Sequence, residues 1–234
     1  MSSRRLDFKE YEKRISEEGL SWEMKQQFEK ALKSYASFLK EVEEISPMND
    51  EETKAKQAIK SYLFLRKANI IMQKGDIERG RQLMNKASEE AEKSENPLMI
   101  GRSKLGLGVF LGSTGSFDEA ERLLKEALSM FKKGKNYDSL QSVGWCLLNL
   151  GGLYGKMEKY NEANESLSQA IGTLKEIENW VGVATAFELR AKANQARGHI
   201  KLANEDFCQA IEFYEKQGMK EKADTVRDSI VEKP

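Results

Sequence analysis

The stretch that decides the fold runs from Lys104 to Ala127 and reads KLGLGVFLGSTGSFDEAERLLKEA. Three further segments align with it without a gap, and successive copies are offset by 40, 43 and 40 residues. They read FLRKANIIMQKGDIERGRQLMNKA from Phe64 to Ala87, LLNLGGLYGKMEKYNEANESLSQA from Leu147 to Ala170, and FELRAKANQARGHIKLANEDFCQA from Phe187 to Ala210. Internal repeats of this length indicate a stacked array of similar structural units.

The aligned columns have the spacing of packed helices. In two columns every residue is small, which allows two helix backbones to approach closely. These columns are Ala68, Gly108, Gly151 and Ala191, and Gly80, Ala120, Ala163 and Ala203. Two bulky columns are Ile77, Phe117, Tyr160 and Ile200, and Met84, Leu124, Leu167 and Phe207, and a fifth column is Ala87, Ala127, Ala170 and Ala210. Counted from Ile77 and its equivalents, the other columns fall on one stripe of a helix with 3.6 residues per turn.

Small residues at these spacings, followed by a turn, a bulky residue and an Ala, resemble the tetratricopeptide repeat over residues 61–218. The long period resembles the longer-helix subclass of LGN-type scaffolds and Rap-type regulators. The chain departs from the pattern at Lys104, where an aromatic residue is expected, and at Lys67 and Arg190, where Leu is expected. The resemblance implies an all-α fold, a right-handed α-solenoid of antiparallel helix hairpins with about eleven helices. The residues alone leave open an unrelated array of α-hairpins with the same period.

The flanking segments are also predicted to be helical, so the domain prediction is a single solenoid over residues 1–234. Residues 1–50 are expected to form a degenerate leading hairpin, residues 51–218 four tetratricopeptide-like hairpins, and residues 219–234 a capping helix. The inner stripe of that last helix is Met219, Ala223, Val226 and Ile230. It is expected to cover Phe213, because the end of a solenoid needs a cap with a polar outer side. The alternative is a helix that folds back into the binding groove.

Residues suited to helix ends punctuate the repeats. Asp76, Asn96 and Ser116 are predicted N-caps, and Ser116 opens an S-x-x-E capping box. Gly134 and Gly218 follow periodic segments and are predicted to be left-handed C-caps. Alternating β-branched runs do not occur, so no strand is predicted.

Composition narrows the function. The 38 Lys and Arg residues balance 38 Asp and Glu, which argues against nucleic acid or an anionic membrane as the partner. No apolar run is long enough to predict a transmembrane helix, and the N-terminus lacks the apolar core of a secretory signal. Cys146 and Cys208 are predicted to be free, buried thiols of a cytoplasmic protein. With His199 as the one histidine, no metal or cofactor is predicted.

In the tetratricopeptide family the first helix of each hairpin lines a concave groove that binds a peptide or a helix. Carried over column by column, the resemblance predicts a ligand groove of Tyr62, Arg66, Asn69, Arg102, Leu105, Val109, Trp145, Leu148, Asn149, Leu189 and Lys192. Exposed Tyr62 and Trp145 would be large apolar anchors, the type that dominates interface energetics. The alternative for Trp145 is burial between neighbouring hairpins.

The predicted function is a protein-interaction scaffold or adaptor that binds a partner peptide or helix and has no enzymatic activity. The alternative is a regulatory or sensor module whose curvature responds to a bound peptide or small molecule. The clamp that some tetratricopeptide domains use for a C-terminal carboxylate is not predicted, because Asn149 alone matches its pattern. Neither Cys nor His199 has the neighbours that nucleophilic catalysis needs. No feature indicates a homo-oligomer.

Overall fold

The computed structural model of the chain describes residues 7–231. Its first helices are α1 (Phe8–Ile15), a π-helical segment (Ser16–Leu20), α2 (Ser21–Met24), α3 (Phe28–Glu44), α4 (Asp50–Gln73), α5 (Ile77–Ser94) and α6 (Pro97–Ser113). They are followed by α7 (Phe117–Phe131), α8 (Tyr137–Lys156), α9 (Tyr160–Glu176), α10 (Trp180–Ala196), α11 (Ile200–Lys216) and α12 (Lys220–Arg227).

All regular structure in residues 7–231 is helical, which confirms the all-α prediction. Because α1, the π-helical segment and α2 are continuous, this range holds eleven separate helical rods, the number expected. The chain divides into two compact units within α6, the first ending at Phe110 and the second beginning at Leu111. Residues 1–6 and 232–234 of the expected leading hairpin and cap lie outside the described residues.

In the first unit α4 packs against α5 as a hairpin, and α3 packs against α4. One core cluster is built around Tyr35, Phe38 and Leu63, and α1 contributes Tyr11 and Ile15 to it. The leading segment is therefore part of the core. The break between its helical run and α3 lies at Gln26, which has a φ of 55°.

In the second unit the hairpins α8–α9 and α10–α11 stack through contacts of α9 with α10 and of α8 with α10. The small columns of the repeat are buried where these helices meet, as expected. A Cβ on Gly151 would lie 2.4 Å from Leu167 Cγ, so this position admits no larger side chain. The first bulky column differs, since Ile77 is 44% exposed. Phe117, Tyr160 and Ile200 of the same column are half-buried, and each of the four residues begins its helix.

The predicted helix ends are partly confirmed. Asp76 and Asn96 accept backbone N–H groups of the first helical turn, as N-caps do. Ser116 makes no side-chain cap hydrogen bond, so the predicted capping box is wrong. Gly218 has the predicted positive φ of 72°. Gly134 does not have a positive φ. A Cβ at this position would lie 2.0 Å from Ser139 Oγ, so the site has no room for a side chain.

A buried polar cluster joins α9, α10 and α11. The guanidinium of Arg190 donates from Nε and Nη2 to the two carboxylate oxygens of Asp206, at 2.8 and 2.7 Å. Asn194 donates to Asp206 Oδ2 at 3.4 Å and accepts from Asn164 Nδ2 at 2.8 Å. Asp206 is only 7% exposed, and the arginine compensates its charge inside the helix stack.

The last helix, α12, packs against α11 and buries Ala223 and Val226, while Ile230 is half-buried. Tyr214 lies beside it, with the Lys222 ammonium 5.0 Å from the centroid of the tyrosine ring. The ring of Phe213, which α12 was expected to cover, is half-buried and stacks on Trp180 with centroids 5.6 Å apart.

Candidate functional site

The predicted ligand-contacting residues all lie on first helices of hairpins. Tyr62, Arg66 and Asn69 are on α4, and Arg102, Leu105 and Val109 are on α6, in the first unit. Trp145, Leu148 and Asn149 are on α8, and Leu189 and Lys192 are on α10, in the second unit. The two groups are described separately below.

In the first unit, the chain's own N-terminal helices engage the predicted face. The carboxylate of Glu23 on α2 forms an ion pair with Arg66, and that of Glu12 on α1 lies 2.5 Å from Arg102 Nη1. The guanidinium carbon of Arg102 is also 5.8 Å from the centroid of the Tyr62 ring. Burial raises the pKa of the Tyr62 hydroxyl, in keeping with a site from which water is largely excluded. Three of the predicted residues thus already hold a helical segment of this chain.

The other first-unit residues are more accessible. Asn69 is exposed, Leu105 is half-buried and Val109 is 40% exposed. They follow Tyr62 and Arg102 by one to two helical turns toward the C-terminal ends of their helices. Within residues 7–231, Asn69 and Val109 of this face are thus accessible to solvent.

In the second unit, α8 and α10 lie side by side. Trp145 is half-buried. Its exposure thus lies between that of an exposed anchor and that of a residue buried between hairpins, the two alternatives for its role. The side-chain amide of Asn149 donates to the Trp145 carbonyl oxygen at 2.8 Å, one helical turn back, which fixes the orientation of the amide. Leu148 is only 6% exposed, so it packs beneath the surface and does not line it.

The α10 side of this face combines an apolar and a charged group. Leu189 Cδ1 would lie 3.8 Å from a Cβ on Gly152, so the leucine leans across the glycine of α8. Lys192 is exposed, and its ammonium lies 2.5 Å from Glu188 one turn earlier. Glu188 also accepts the hydroxyl of Tyr214 at 3.0 Å. Together, half-buried Trp145 and Leu189 supply apolar groups to this face, and Asn149 and exposed Lys192 supply polar ones.

The sequence analysis missed the two glutamates that occupy the first-unit face. Glu12 and Glu23 are eleven residues apart, about three turns of a helix, which places them near one face. That spacing was a usable signal. Their arginine partners could not be assigned from it, because the leading segment lies outside the repeat and has no aligned copy.

Features expected of an enzyme are sparse among residues 7–231. This range contains no group of three or more His, Cys, Asp and Glu side chains placed to hold a metal ion. Cys146 is a free, buried thiol that donates to the Leu124 carbonyl at 3.1 Å, and burial raises its pKa to about 12. Cys208 is also free but exposed, so the prediction of burial is wrong for it. One residue after Phe207, its side chain is turned away from the core. Of the helices in the described range, none is both long and apolar enough to cross a bilayer.

Residues 100–176 match the family model of the tetratricopeptide repeat, which confirms the resemblance for that range. The search of curated proteins finds no match. Among solved structures, BtubC from P. vanneervenii superposes with a TM-score of 0.61 at 14% identity, over 85% of this chain and 87% of that one. The TPR-like repeats of a kinesin light chain from P. anserina give 0.57 at 17% identity, over 88% and 95%.

A Rap protein in complex with competence and sporulation factor gives a TM-score of 0.50 at 15% identity, over 91% of this chain and 71% of that one. These likenesses are in fold. They support the predicted tetratricopeptide-like solenoid and its predicted resemblance to Rap-type regulators. The ligand of this chain has to be inferred from its own residues.

Proposed function

We propose that this chain is a protein-interaction scaffold that binds a helix or peptide of a partner on the face formed by α8 and α10. Tetratricopeptide-like proteins bind other proteins or peptides, and the Rap neighbour is in complex with a factor of its own. The partner surface is Trp145, Asn149, Leu189 and Lys192. We also propose that the chain has no enzymatic activity and that it is located in the cytoplasm.

The observation that carries the proposal is the N-terminal helical run on the first unit. There the equivalent columns of the repeat, Tyr62, Arg66 and Arg102, hold a helical segment through two carboxylates. This supports the view that first-helix faces in this chain have the shape and chemistry to hold a helix. The second-unit face has the same columns, and we infer a ligand whose apolar residues contact Trp145 and Leu189 and whose acidic group competes with Glu188 for Lys192.

The test is capture of partners from the native host's lysate by the full chain, followed by affinity measurement with the partner that is identified. Trp145→Ala should weaken binding by about 2 kcal/mol or more, because truncated aromatic anchors at the centre of an interface cost this much. Leu202→Ala is the matched control, since Leu202 is 50% exposed on α11, a second helix. A folded Trp145→Ala chain that binds its partner as tightly as the Leu202→Ala chain would exclude this face as the site.

A regulatory module is the second candidate, and the same N-terminal helices favour it. A ligand that competes for Arg66 and Arg102 would release the carboxylates of Glu23 and Glu12 and loosen residues 8–24, and the state of that segment would report ligand binding. The ion pair of Glu12 with Arg102 is a contact that such a ligand could replace, whereas Tyr11 and Ile15 stay buried in the core and keep α1 in place.

Hydrogen exchange over residues 8–24 tests this candidate. Glu12→Gln should raise exchange in α1 by about fivefold if the ion pair contributes near 1 kcal/mol to local closure. Glu18→Gln, at an exposed position of the same N-terminal helical run, serves as the comparison. A captured partner that raises exchange in the same segment supports regulation, and one that leaves it unchanged while binding to the second unit supports the plain scaffold.

A further inference from the structure

The first unit contains a cleft on the side of α4 away from Tyr62 and Arg66. It lies among α3, α4 and α5 and has a volume of about 360 Å³. Lys67, Ile71 and Lys74 follow one another at helical spacing on this side, whereas Tyr62, Arg66 and Asn69 form a separate stripe. The cleft is therefore distinct from the face that holds the N-terminal helices.

The cleft has an apolar floor and a cationic rim. Leu32 on α3, Ile71 on α4 and Leu83 on α5 are its apolar residues. Basic side chains from all three helices surround them, namely Lys33, Lys67, Lys74 and Arg79. A single acidic residue, Glu29, lines the cleft, and it forms an ion pair with Lys74.

Lys67 and Arg79 have no carboxylate within ion-pair distance in the described part of the chain. Burial, followed by the nearby charges of Arg79 and Lys86, lowers the pKa of the Lys67 ammonium, and Glu43 opposes this only in part. Like charges gathered at a half-buried position destabilise a fold when nothing neutralises them. Within residues 7–110, the charges of Lys67 and Arg79 are thus not neutralised by an ion pair.

The other copies of the repeat differ from the first copy in the pair of residues at the positions of Lys67 and Leu83. The column of Lys67 contains Leu107, Leu150 and Arg190 in the other copies, so only two copies carry a cation there. The column of Asp206, the partner of Arg190, contains Leu83 in the first copy. The fourth copy supplies a carboxylate for its cation, and the first copy supplies a leucine that lines the cleft.

We infer that this cleft binds a small organic anion, with its carboxylate or phosphate group between Lys67 and Arg79 and its apolar body on Leu32, Ile71 and Leu83. The volume is in the range of small-molecule sites, which begins at about 300 Å³. Arginine suits such a ligand because its planar fork of N–H donors matches carboxylate and phosphate oxygens. The ligand would supply the negative charge that the first copy of the repeat lacks.

The test uses 1-naphthyl phosphate as the probe, measured by calorimetry on the full chain. 1-Naphthol has the same apolar body without the charge, and inorganic phosphate has the charge without the body. We expect naphthyl phosphate to bind at least about tenfold more tightly than either, because a hydrogen bond to a charged group and apolar burial each contribute on this scale. Equal affinity for 1-naphthol, or no binding of naphthyl phosphate, would overturn the inference.

Variants locate the site. Lys67→Gln and Arg79→Gln should each weaken naphthyl phosphate binding by about tenfold, while Lys133→Gln, an exposed lysine at the end of α7, should leave it unchanged. Circular dichroism confirms that each variant is folded. Equal weakening by Lys133→Gln would show nonspecific charge attraction and overturn the site.

If polyglutamate bound through Lys67 and Arg79 while naphthyl phosphate did not, the cleft would be a surface for an acidic protein and the inference would be wrong. Trp145→Ala should not alter probe binding, which keeps this result separate from the partner face.

Discussion

Arg190 and Asp206 face each other across α10 and α11 in a bidentate ion pair, which occupies a position where the second copy of the repeat has two leucines, Leu107 and Leu123. The same packing position is thus filled by an apolar pair in one copy and by an ion pair in another. An apolar pair needs no partner beyond its neighbours. A charged pair stabilises the fold only while both residues are present, because removal of one leaves the charge of the other unpaired in a low-dielectric site.

Removing the carboxylate should therefore destabilise the second unit strongly. We expect Asp206→Ala to lower the free energy of unfolding by about 2–3 kcal/mol, below the full cost of an orphaned buried charge. The discount reflects the Arg190 side chain, which is 25% exposed. Thermal denaturation should show a fall in Tm of about 5–10 °C. The double variant Arg190→Leu with Asp206→Leu recreates the pair of the second copy and should recover at least half of that loss. No recovery would mean that the polar cluster, and not the charge pair, holds the helices.

Turn geometry gives a stabilising prediction. The turns within three of the hairpins contain Gly75, Gly115 and Gly198 at positive φ, and the third copy has Glu158 at the same place with a φ of 60°. A left-handed conformation costs a residue with a Cβ about 1–2 kcal/mol, and the entropy of glycine offsets about half of that. Glu158→Gly should raise the free energy of unfolding by about 0.5 kcal/mol. Glu178→Gly, at a φ of 55° in another turn, is a second test of the same reasoning. A lower Tm for both variants would contradict it.

Lys67 should make the protein less stable at neutral pH than a neutral residue would. Its pKa in the folded state lies below the ordinary value of 10.5, so folding disfavours the charged form. The penalty is fully present below the folded-state pKa and disappears as pH rises through it toward 10.5. Because Lys67 is only half-buried, solvent screens much of this penalty, so Lys67→Gln should raise the free energy of unfolding at pH 7 by at most about 0.5 kcal/mol. The gain should shrink in alkaline solution. Denaturant titrations of both chains at pH 7 and above pH 10 measure it, and a gain that grows with pH would contradict the assignment.

The C-terminal helix should be needed for stability. Val226 is buried against the last hairpin, and its burial contributes about 1.5–3 kcal/mol, whereas half-buried Ile230 contributes less. Deleting residues 219–234 should lower Tm and promote association, because the surface around Tyr214 would be exposed. Calorimetry and size-exclusion chromatography of the truncated chain measure both. Unchanged stability with a gain in partner affinity would indicate that the helix acts as an internal ligand.

The repeat columns made the helix stack predictable, because each small residue meets a neighbour at a fixed offset in the aligned copies. Ala87 and Ala170 are fully buried for this reason. Contacts outside the repeat could not be found in this way. Arg66 was expected to meet a partner protein, and it meets Glu23, which lies 43 residues earlier in a segment without copies.

Side-chain exposure was the other limit of the sequence analysis. Trp145 and Leu148 stand in adjacent columns of the predicted groove, yet one is half-buried and the other is part of the core. Periodicity assigns a residue to a face of its helix. How far the neighbouring helix covers that face depends on the sizes of the side chains between them, which no column of the repeat records. The binding-groove residues therefore stay a prediction that the Trp145→Ala measurement addresses.

The contrast between the two thiols has a practical consequence for spectroscopy. A maleimide dye reacts with an accessible thiolate, and Cys146 is withheld from it by burial and by a pKa of about 12, whereas Cys208 is exposed on α11. The unmodified sequence thus offers one attachment point for a fluorophore or a spin label in the folded chain. A single reporter on the fourth repeat, introduced without any mutation, allows partner binding to be followed by anisotropy while every other residue discussed above remains native.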